Sequence, residues 1–156
     1  MKYLGIDYGD ERVGLAVCDA GERLAFGLKT LERRLLPTKE QFFGELLGLV
    51  EQEDIGGVVI GLPLPLTPKA DLGEPLTCRK ARNFAARLAR RTDLPIYLVN
   101  EALSSSEAED RLRQAGFKGI KLKNKLDAQA AAIILQQFLN LPLEQRTRYA
   151  LERFSF

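Results

Sequence analysis

Two apolar runs around a three-residue turn open the chain, and the first run contains an acid. Residues 2–8 and 12–18 are the two runs, and their spacing predicts a β-hairpin. Asp7 lies inside the first run, where burial of a carboxylate costs free energy unless it is paired or binds a cation. Gly5 and Gly9 place no side chains beside this acid, so a bulky anionic ligand can approach the backbone. The hairpin therefore predicts an aspartate that holds a metal ion or contacts phosphate.

Length and composition indicate a globular protein of ordinary size. The 156 residues are 46% hydrophobic and 28% charged, which predicts a single domain over residues 1–156 with its own core. No apolar run approaches the roughly 20 residues of a membrane span, and the N-terminus lacks a signal-peptide pattern. Cys18 and Cys78 give no disulfide framework. We therefore expect a cytoplasmic protein with no membrane partner.

The chain contains no histidine. This absence excludes Ser-His-Asp and Cys-His nucleophilic systems, histidine-ligated zinc and an imidazole general base. Any hydrolytic chemistry must therefore use carboxylates with metal ions, or a lysine.

The remaining chain alternates between helix-like and strand-like patterns. We predict a third strand, then helix, strand, helix, strand and two further helices, at about residues 24–31, 38–53, 58–62, 75–92, 95–99, 104–114 and 126–139. The lysine-rich segment 117–125 is predicted as a loop, and the tail 141–156 as a short peripheral helix or a partly ordered segment. Strands that are each reached through a helix lie parallel in one sheet, which predicts an α/β or mixed fold with a central sheet and flanking helices.

Three carboxylates fall where such a sheet places its ligand site, at the carboxyl ends of parallel strands. Asp7 ends the first strand, Glu101 follows the last one, and Asp127 opens the predicted final helix. Oxygen ligands without His or Cys favour Mg²⁺ or Mn²⁺ over zinc. Each acid also has a structural interpretation, as a turn acceptor, a solvated loop acid or a helix N-terminal acid. Their joint position favours a site that holds two ions.

Basic residues concentrate in two stretches. The segment from Arg111 to Leu126 contains no acid, and a second group lies on the predicted helix 75–92. Positive surface beside acidic strand ends suits an enzyme that manages phosphate charge, although solvated helix faces and a polar loop give the same pattern.

Four motifs in order resemble the YqgF/RuvX family of pre-16S rRNA nucleases, also described as Holliday-junction-resolvase-like. The matching segments are residues 5–9 with 12–16, 59–64, 100–105 and 127–131. The resemblance implies an RNase H-like fold whose five-stranded mixed sheet has its second strand antiparallel to the rest. It also implies that Asp7, Glu101 and Asp127 are the metal-binding catalytic acids.

The chain departs from the family pattern at two places. Asn100 and Ala102 stand where the family usually has Asp and Arg, and residues 66–69 replace a common Asp-Gly turn. Both changes concern substrate positioning more than metal binding. Ser104 and Ser105 replace residues that are often threonine, and their hydroxyls can still cap a helix or contact phosphate.

These observations predict a metal-dependent endonuclease acting on structured nucleic acid. Its substrate is a ribosomal RNA precursor or branched DNA, and symmetric junction cleavage would require a homodimer. Asp7 would bridge two metals whose shells Glu101 and Asp127 complete. The predicted substrate contacts are Arg12, Ser104, Ser105, Lys118, Lys121, Lys123 and Lys125.

Two alternatives stay open from the sequence. The missing arginine after Glu101 is compatible with a nucleic-acid binding module that has lost catalysis. The residues from Gly5 to Gly9 are similar to the phosphate-contacting hairpin of sugar kinases and actin-like ATPases, which require a far longer chain to close two lobes around ATP.

Overall fold

The computed structural model describes residues 1–63, 73–101, 110 and 112–152, with Glu101 described by its backbone. Five strands form one mixed sheet: β1 (Lys2–Tyr8), β2 (Arg12–Cys18), β3 (Ala25–Glu32), β4 (Ile55–Pro63) and β5 (Ile96–Glu101). The described residues also form the α-helices α1 (Lys39–Gln52), α2 (Leu76–Ala89), α3 (Gly119–Leu139) and α4 (Leu143–Arg146), and residues 110 and 112–114 are helical as well. Short 3₁₀ turns cover Arg33–Leu35 and Thr147–Tyr149.

The strand order in the sheet is β3-β2-β1-β4-β5. The first three strands form an antiparallel meander, whereas β4 pairs parallel with β1, and β5 pairs parallel with β4. The hairpin predicted over residues 2–8 and 12–18 is confirmed at both bounds. This arrangement brings the carboxyl ends of β1, β4 and β5 to one edge of the sheet.

Local sequence signals account for the first helix and the central strand. Thr38 accepts a hydrogen bond from the backbone N–H of Gln41, whose side chain in turn accepts from the Thr38 N–H, so a capping box begins α1. The strand β4 is buried along almost its whole length, as expected for a strand covered on both faces.

The sheet is covered by helices on both faces. On one face α1 and α2 bury Phe42, Leu46 and Phe84 against β1, β2 and β4. On the other face α3 packs Ile134 and Phe138 against the sheet. No helix in the described ranges is both long and apolar enough to cross a membrane.

The helix α3 lies unusually close to the sheet because glycines face it. A Cβ atom at Gly5 would lie 2.8 Å from the backbone oxygen of Ala131, and one at Gly14 would collide with the backbone oxygen of Asp127. Any side chain at these positions would push the helix outward. The glycines therefore fix how near α3, and with it Asp127, comes to β1 and β2.

The prediction of a loop over 117–125 is wrong for most of that segment. The helix α3 begins at Gly119, with Lys118 as its N-cap residue. Lysine is a good helix former, and Leu122 and Leu126 stand one turn apart on a side partly turned inward. The run of positive charge suggests a loop, but no glycine or proline follows Gly119 within α3 to break the helix.

Asp127 therefore does not open a helix, because it lies in the third turn of α3. A helix dipole stabilises acids only in the first turn, so the structural interpretation of Asp127 as a helix N-terminal acid is excluded. Its position now depends on the packing of α3 against β2.

Candidate active site

Asp7 and Asp127 line the same cavity, of about 310 Å³, at the carboxyl end of β1. Asp7 stands opposite Gly14 in the antiparallel register of β1 and β2. The backbone of Asp127 rests directly on Gly14, as the close approach of α3 requires. Two acids that are 120 residues apart in sequence thus meet because a glycine lets the helix lie against the hairpin.

Arg12 forms an ion pair with Asp127 inside this cavity. Its Nε donates to Oδ2 of Asp127 at 2.8 Å, and both side chains are 23% exposed. Its Nη1 also lies 3.4 Å from Oε2 of the exposed Glu11. Arg12, predicted as a substrate contact, is therefore in contact with one of the predicted catalytic acids.

The pKa of Asp127 is raised from its ordinary value despite this pairing. Burial of the carboxyl group is the larger cause, while the hydrogen bond and charge of Arg12 and the charge of Lys123 oppose it. The positive groups present thus compensate the negative charge of Asp127 incompletely. The charged form of such a carboxylate is stabilised when a cation binds beside it.

The turn between β1 and β2 contributes further acids to the rim. Gly9, Asp10 and Glu11 line the cavity together with Asp7, Arg12 and Asp127. Asp10 accepts a 2.8 Å hydrogen bond from Nζ of Lys80 on α2. The two side chains are exposed at 64% and 42%, so this pair contributes little to stability, but it joins the turn to α2.

Glu101 ends β5 at the same edge of the sheet. Its backbone pairs with Pro63 of β4. Across the sheet, Ile6 of β1 pairs with Ile60 of β4, which pairs in turn with Leu98 of β5. Strands lie about 4.8 Å apart, so the backbones of β1 and β5 are separated by about 10 Å. The side chain of Glu101 lies outside the described residues, and so do Ser104 and Ser105.

The basic residues predicted as substrate contacts lie in different parts of the structure. Lys123 is one helical turn from Asp127 and acts on its charge. Lys118 and Lys123 line a cavity with Arg113 and Phe117, whereas Lys121 and Lys125 line a separate one beside β3. The sequence predicted one basic segment, and the helix distributes it over two sides.

Sequence reasoning missed three features of this site. It did not predict the contact between Arg12 and Asp127, nor the presence of Asp10 and Glu11 in the cavity, nor the reach of Lys80 from α2. Acidic residues directly after Gly9 were a usable signal for the rim. The pairs Arg12–Asp127 and Lys80–Asp10 had no signal in the sequence, because each joins elements that meet only in the folded protein.

The donor set fits a hard divalent cation. Asp7 and Asp127 supply carboxylate oxygens, the ligands that Mg²⁺ and Mn²⁺ prefer. Among the described side chains no group of three or more Asp, Glu, His or Cys residues is placed to hold a metal ion. A third protein ligand would therefore have to come from outside the described side chains, where Glu101 is the candidate.

Comparisons with known proteins point to one family. The RuvX family model, described as "Holliday junction resolvase", matches residues 1–141. A protein of Nitratidesulfovibrio vulgaris (strain DSM 19637 / Miyazaki F) named "Putative pre-16S rRNA nuclease" is 50% identical over 147 residues, or 94% of this chain and 99% of the relative. A protein of the same name from Anaeromyxobacter sp. (strain Fw109-5) is 41% identical over 140 residues, or 90% and 97%.

Solved structures support the fold. The structure titled "T. thermophilus RuvC in complex with Holliday junction substrate" matches with a TM-score of 0.54 and 19% identity, covering 96% of this chain and 98% of the other. A second Thermus thermophilus RuvC structure matches with a TM-score of 0.52 and 18% identity over the same shares. The RNase H-like fold and the mixed five-stranded sheet predicted from the sequence are confirmed.

Proposed function

The chain belongs to the RuvX family of nucleases, and from this premise we propose that it is a metal-dependent endonuclease that processes precursor 16S rRNA. The family and the nuclease class predicted from the sequence motifs are both confirmed. The RNA substrate is favoured by the names of relatives that are about half identical over nearly the whole chain.

The observation that carries the proposal is the meeting of Asp7 and Asp127 in one cavity beside Arg12. In this proposal Asp7 and Asp127 hold Mg²⁺ or Mn²⁺ and Glu101 completes the ligand set. Two bound ions would supply activation of the attacking water and stabilisation of the leaving 3′ oxygen. The chain's own contribution is to hold the carboxylates at fixed positions through β1, β5 and the close packing of α3 on Gly14.

Arg12 has two roles in this proposal. Without a cation it neutralises part of the charge of Asp127. If Asp127 bound a cation, the guanidinium of Arg12 would be available to contact a phosphate, for which its planar donors are well suited. Lys123, near the same carboxylate, adds positive potential beside the site. Ser104 and Ser105 remain proposed phosphate contacts, as do the lysines 118, 121 and 125.

Three broader expectations also remain proposals. We place the protein in the cytoplasm, where ribosomal RNA is processed, and we regard residues 1–156 as one nuclease domain. The described part of the tail supports the latter, since Leu151 donates its N–H to the oxygen of Ile96 in β5 at 2.7 Å. A homodimer is required only if the chain cleaves four-way junctions symmetrically.

A second substrate is favoured by a specific observation. The family model is described as a Holliday junction resolvase, and the fold resembles that of RuvC. The same carboxylates would serve branched DNA. Paired symmetric nicks in a junction would identify this activity.

The test is a cleavage assay with Mg²⁺ and Mn²⁺ on a precursor 16S rRNA fragment and on a four-way DNA junction. Asp7→Asn is the inactive control, and its circular dichroism and melting temperature should match those of the parent protein. Cleavage of the RNA by the parent protein but not by Asp7→Asn would support the proposal. Full activity in Asp7→Asn would contradict it.

Failure to cleave either substrate would favour one of the sequence-level alternatives. Binding of RNA or junction without cleavage in Mn²⁺ would indicate a nucleic-acid binding module. A rise in melting temperature with ATP would indicate an actin-like or sugar-kinase-like protein.

A further inference from the structure

A second cavity, of about 490 Å³, lies between the edge strand β3 and the helix α3. We call it the β3–α3 cavity. Its walls are one strand segment and one helix face with an aromatic residue at one end: Gly27–Thr30, Phe117, Lys121, Asn124, Lys125, Ala128 and Gln129. The cavity lining contains no acid, unlike that of the site formed by Asp7 and Asp127.

A bulge and small residues open the space. The pairing of β2 with β3 shifts between Leu15 and Ala16, which leaves Leu28 as an extra residue on β3. Thr30 donates from Oγ1 to the backbone oxygen of Asn124 at 2.5 Å, tying the strand to the helix. The side chain of Lys29 instead pairs with Glu45 of α1 on the opposite face, so Lys29 contributes its backbone to the cavity.

The cavity attracts anions. Lys121 and Lys125 stand one helical turn apart, and neither forms an ion pair with a residue in the part of the chain that the structure describes. Positions four apart on a helix have Cβ atoms about 6 Å apart, so these two side chains can reach successive phosphates of a nucleic-acid backbone.

The cavity also offers an apolar ring and amide groups. Phe117 is half-buried, and Nζ of Lys125 lies 5.7 Å from the centre of its ring. The buried amide oxygen of Asn124 has no hydrogen-bond partner among the described residues, so it is available to accept a bond from a ligand. Gln129 adds a second amide. An aromatic ring stacks on any base, and amides bond to base edges.

The cavity and the candidate active site share the helix α3. Lys121, Lys125 and Gln129 lie at successive turns of the helix, in a row about 12 Å long beside β3. Asp127 lies on another side of the same helix, where it meets Arg12 of β2.

We propose that the β3–α3 cavity binds an unpaired nucleotide of the substrate, with its base on Phe117 and its phosphates on Lys121 and Lys125. This rests on the proposed nuclease function and narrows its substrate. A base within a duplex does not expose its face to a protein ring, so the substrate must present a single-stranded segment to this cavity.

The test measures binding in EDTA, where no cleavage occurs, by fluorescence anisotropy of a labelled 12-nucleotide RNA and of an RNA hairpin whose stem contains the same sequence. Phe117→Leu should weaken binding of the single strand about tenfold and leave hairpin binding unchanged. Phe117→Tyr should bind as the parent protein does. Circular dichroism verifies that each variant folds.

The charge contribution is measured with two double variants of equal net charge. Lys121→Ala with Lys125→Ala should reduce the slope of log affinity against log salt by about 1.4 for the single strand. Lys39→Ala with Arg90→Ala removes two exposed basic residues at the start of α1 and at the end of α2, away from the cavity, and should leave most of the slope intact.

Either of two results would overturn the inference. One is an equal loss of slope in both double variants, which would indicate general charge attraction. The other is a Phe117→Leu variant that binds the single strand normally or loses hairpin binding to the same degree. Because binding is measured without metal, an absence of cleavage in the assay above would refute the proposed function and leave this result interpretable.

Discussion

Two arginine–carboxylate pairs join distant parts of the chain, one at the middle of α3 and one beyond its C-terminal end, and they differ in how completely charge is compensated. Arg12 meets Asp127 in an open cavity through one 2.8 Å bond. Arg146 meets Glu22 at 2.6 Å, with the arginine side chain only 8% exposed. The first pair lies in the candidate active site, and the second lies where the tail reaches the β2–β3 turn.

In the Arg146–Glu22 pair, both side chains have further hydrogen-bond partners. Arg146 also donates to the backbone oxygens of Leu139 and Leu141, and its guanidinium lies 5.1 Å from the centre of the Phe138 ring. Glu22 accepts a further bond from the N-terminal ammonium at 3.2 Å. Burial acts to raise the pKa of Glu22, but these bonds outweigh it and the pKa is lowered.

The contrast shows how one kind of ion pair serves two purposes. At Glu22 the charge is fully compensated, which suits a structural link. At Asp127 burial prevails and the pKa is raised, so the carboxylate remains under-compensated. A site that binds cations needs carboxylates whose negative charge is incompletely balanced, and this imbalance lowers the stability of the folded state.

The largest expected effect separates the two carboxylates by activity. Asp127→Asn should lower metal-dependent cleavage about a thousandfold, because a lost metal ligand removes several kcal/mol of charge stabilisation in the transition state. Glu22→Gln should retain activity while its melting temperature falls. Single-turnover cleavage rates and thermal unfolding check both. Equal activity in the two variants would show that Asp127 and Glu22 do not differ in their importance for cleavage.

The next effect separates the two arginines by stability. Arg146→Met should lower the free energy of unfolding by about 3 kcal/mol, because it leaves buried backbone oxygens unpaired and removes the arginine partner of Glu22. Arg12→Met should lower it by only about 1 kcal/mol, because it removes one 2.8 Å bond to Asp127 and a longer one to the exposed Glu11. Urea unfolding measures both. A larger loss at Arg12 would reverse the assignment of the structural pair.

A smaller effect concerns metal affinity. Arg12→Gln should bind Mn²⁺ about tenfold more tightly than the parent protein, because it removes a positive charge beside the ligands. Arg146→Lys, far from the cavity, should leave the affinity unchanged. Isothermal titration calorimetry without substrate decides the matter. Weaker binding in Arg12→Gln would mean that the arginine orients Asp127 for the metal.

The smallest effects are opposite pH dependences of stability, measured in EDTA. The lowered pKa of Glu22 gives stability above its unfolded-state value near 4.5 that is lost as pH falls through the folded-state value. The advantage of the parent protein over Glu22→Gln should therefore shrink on acidification.

The raised pKa of Asp127 acts in the other direction. The folded state holds this proton more tightly than the unfolded state, so stability falls as pH rises from near 3.8 through the folded-state value. Asp127→Asn should therefore gain stability relative to the parent protein over that rise. Urea unfolding across this pH range measures both variants, and parallel curves would show that the two carboxylates do not differ.

The sequence predicted the elements that have clear local signals. The hairpin of β1 and β2 matched at both ends, because its runs are apolar and its turn is short. The helix α1 followed from the Thr38 cap and its apolar spacing. The start of α3 was missed by seven residues, because a run of lysines was weighed by its charge and not by its helix propensity.

The candidate site was predicted in part. The sequence predicts Asp7 at a strand end and Asp127 at the start of a helix, both facing one cleft; Asp127 instead lies within α3, but both acids line one cavity. The contacts of Arg12 with Asp127 and of Arg146 with Glu22 span 115 and 124 residues. Nothing in the spacing of residues along the chain indicates either of them.

The sequence by itself determined the hairpin through its periodicity and turn residues, and the family through four ordered motifs, whose resemblance implied the mixed sheet. Its lack of histidine excluded imidazole chemistry. Only the tertiary structure decided which charges meet. Gly14 lets the backbone of α3 rest on β2, and that approach brings Asp127 to Arg12 and turns Lys121 and Lys125 toward β3. Side-chain charges act over a few ångströms, so their partners are set by how the elements pack.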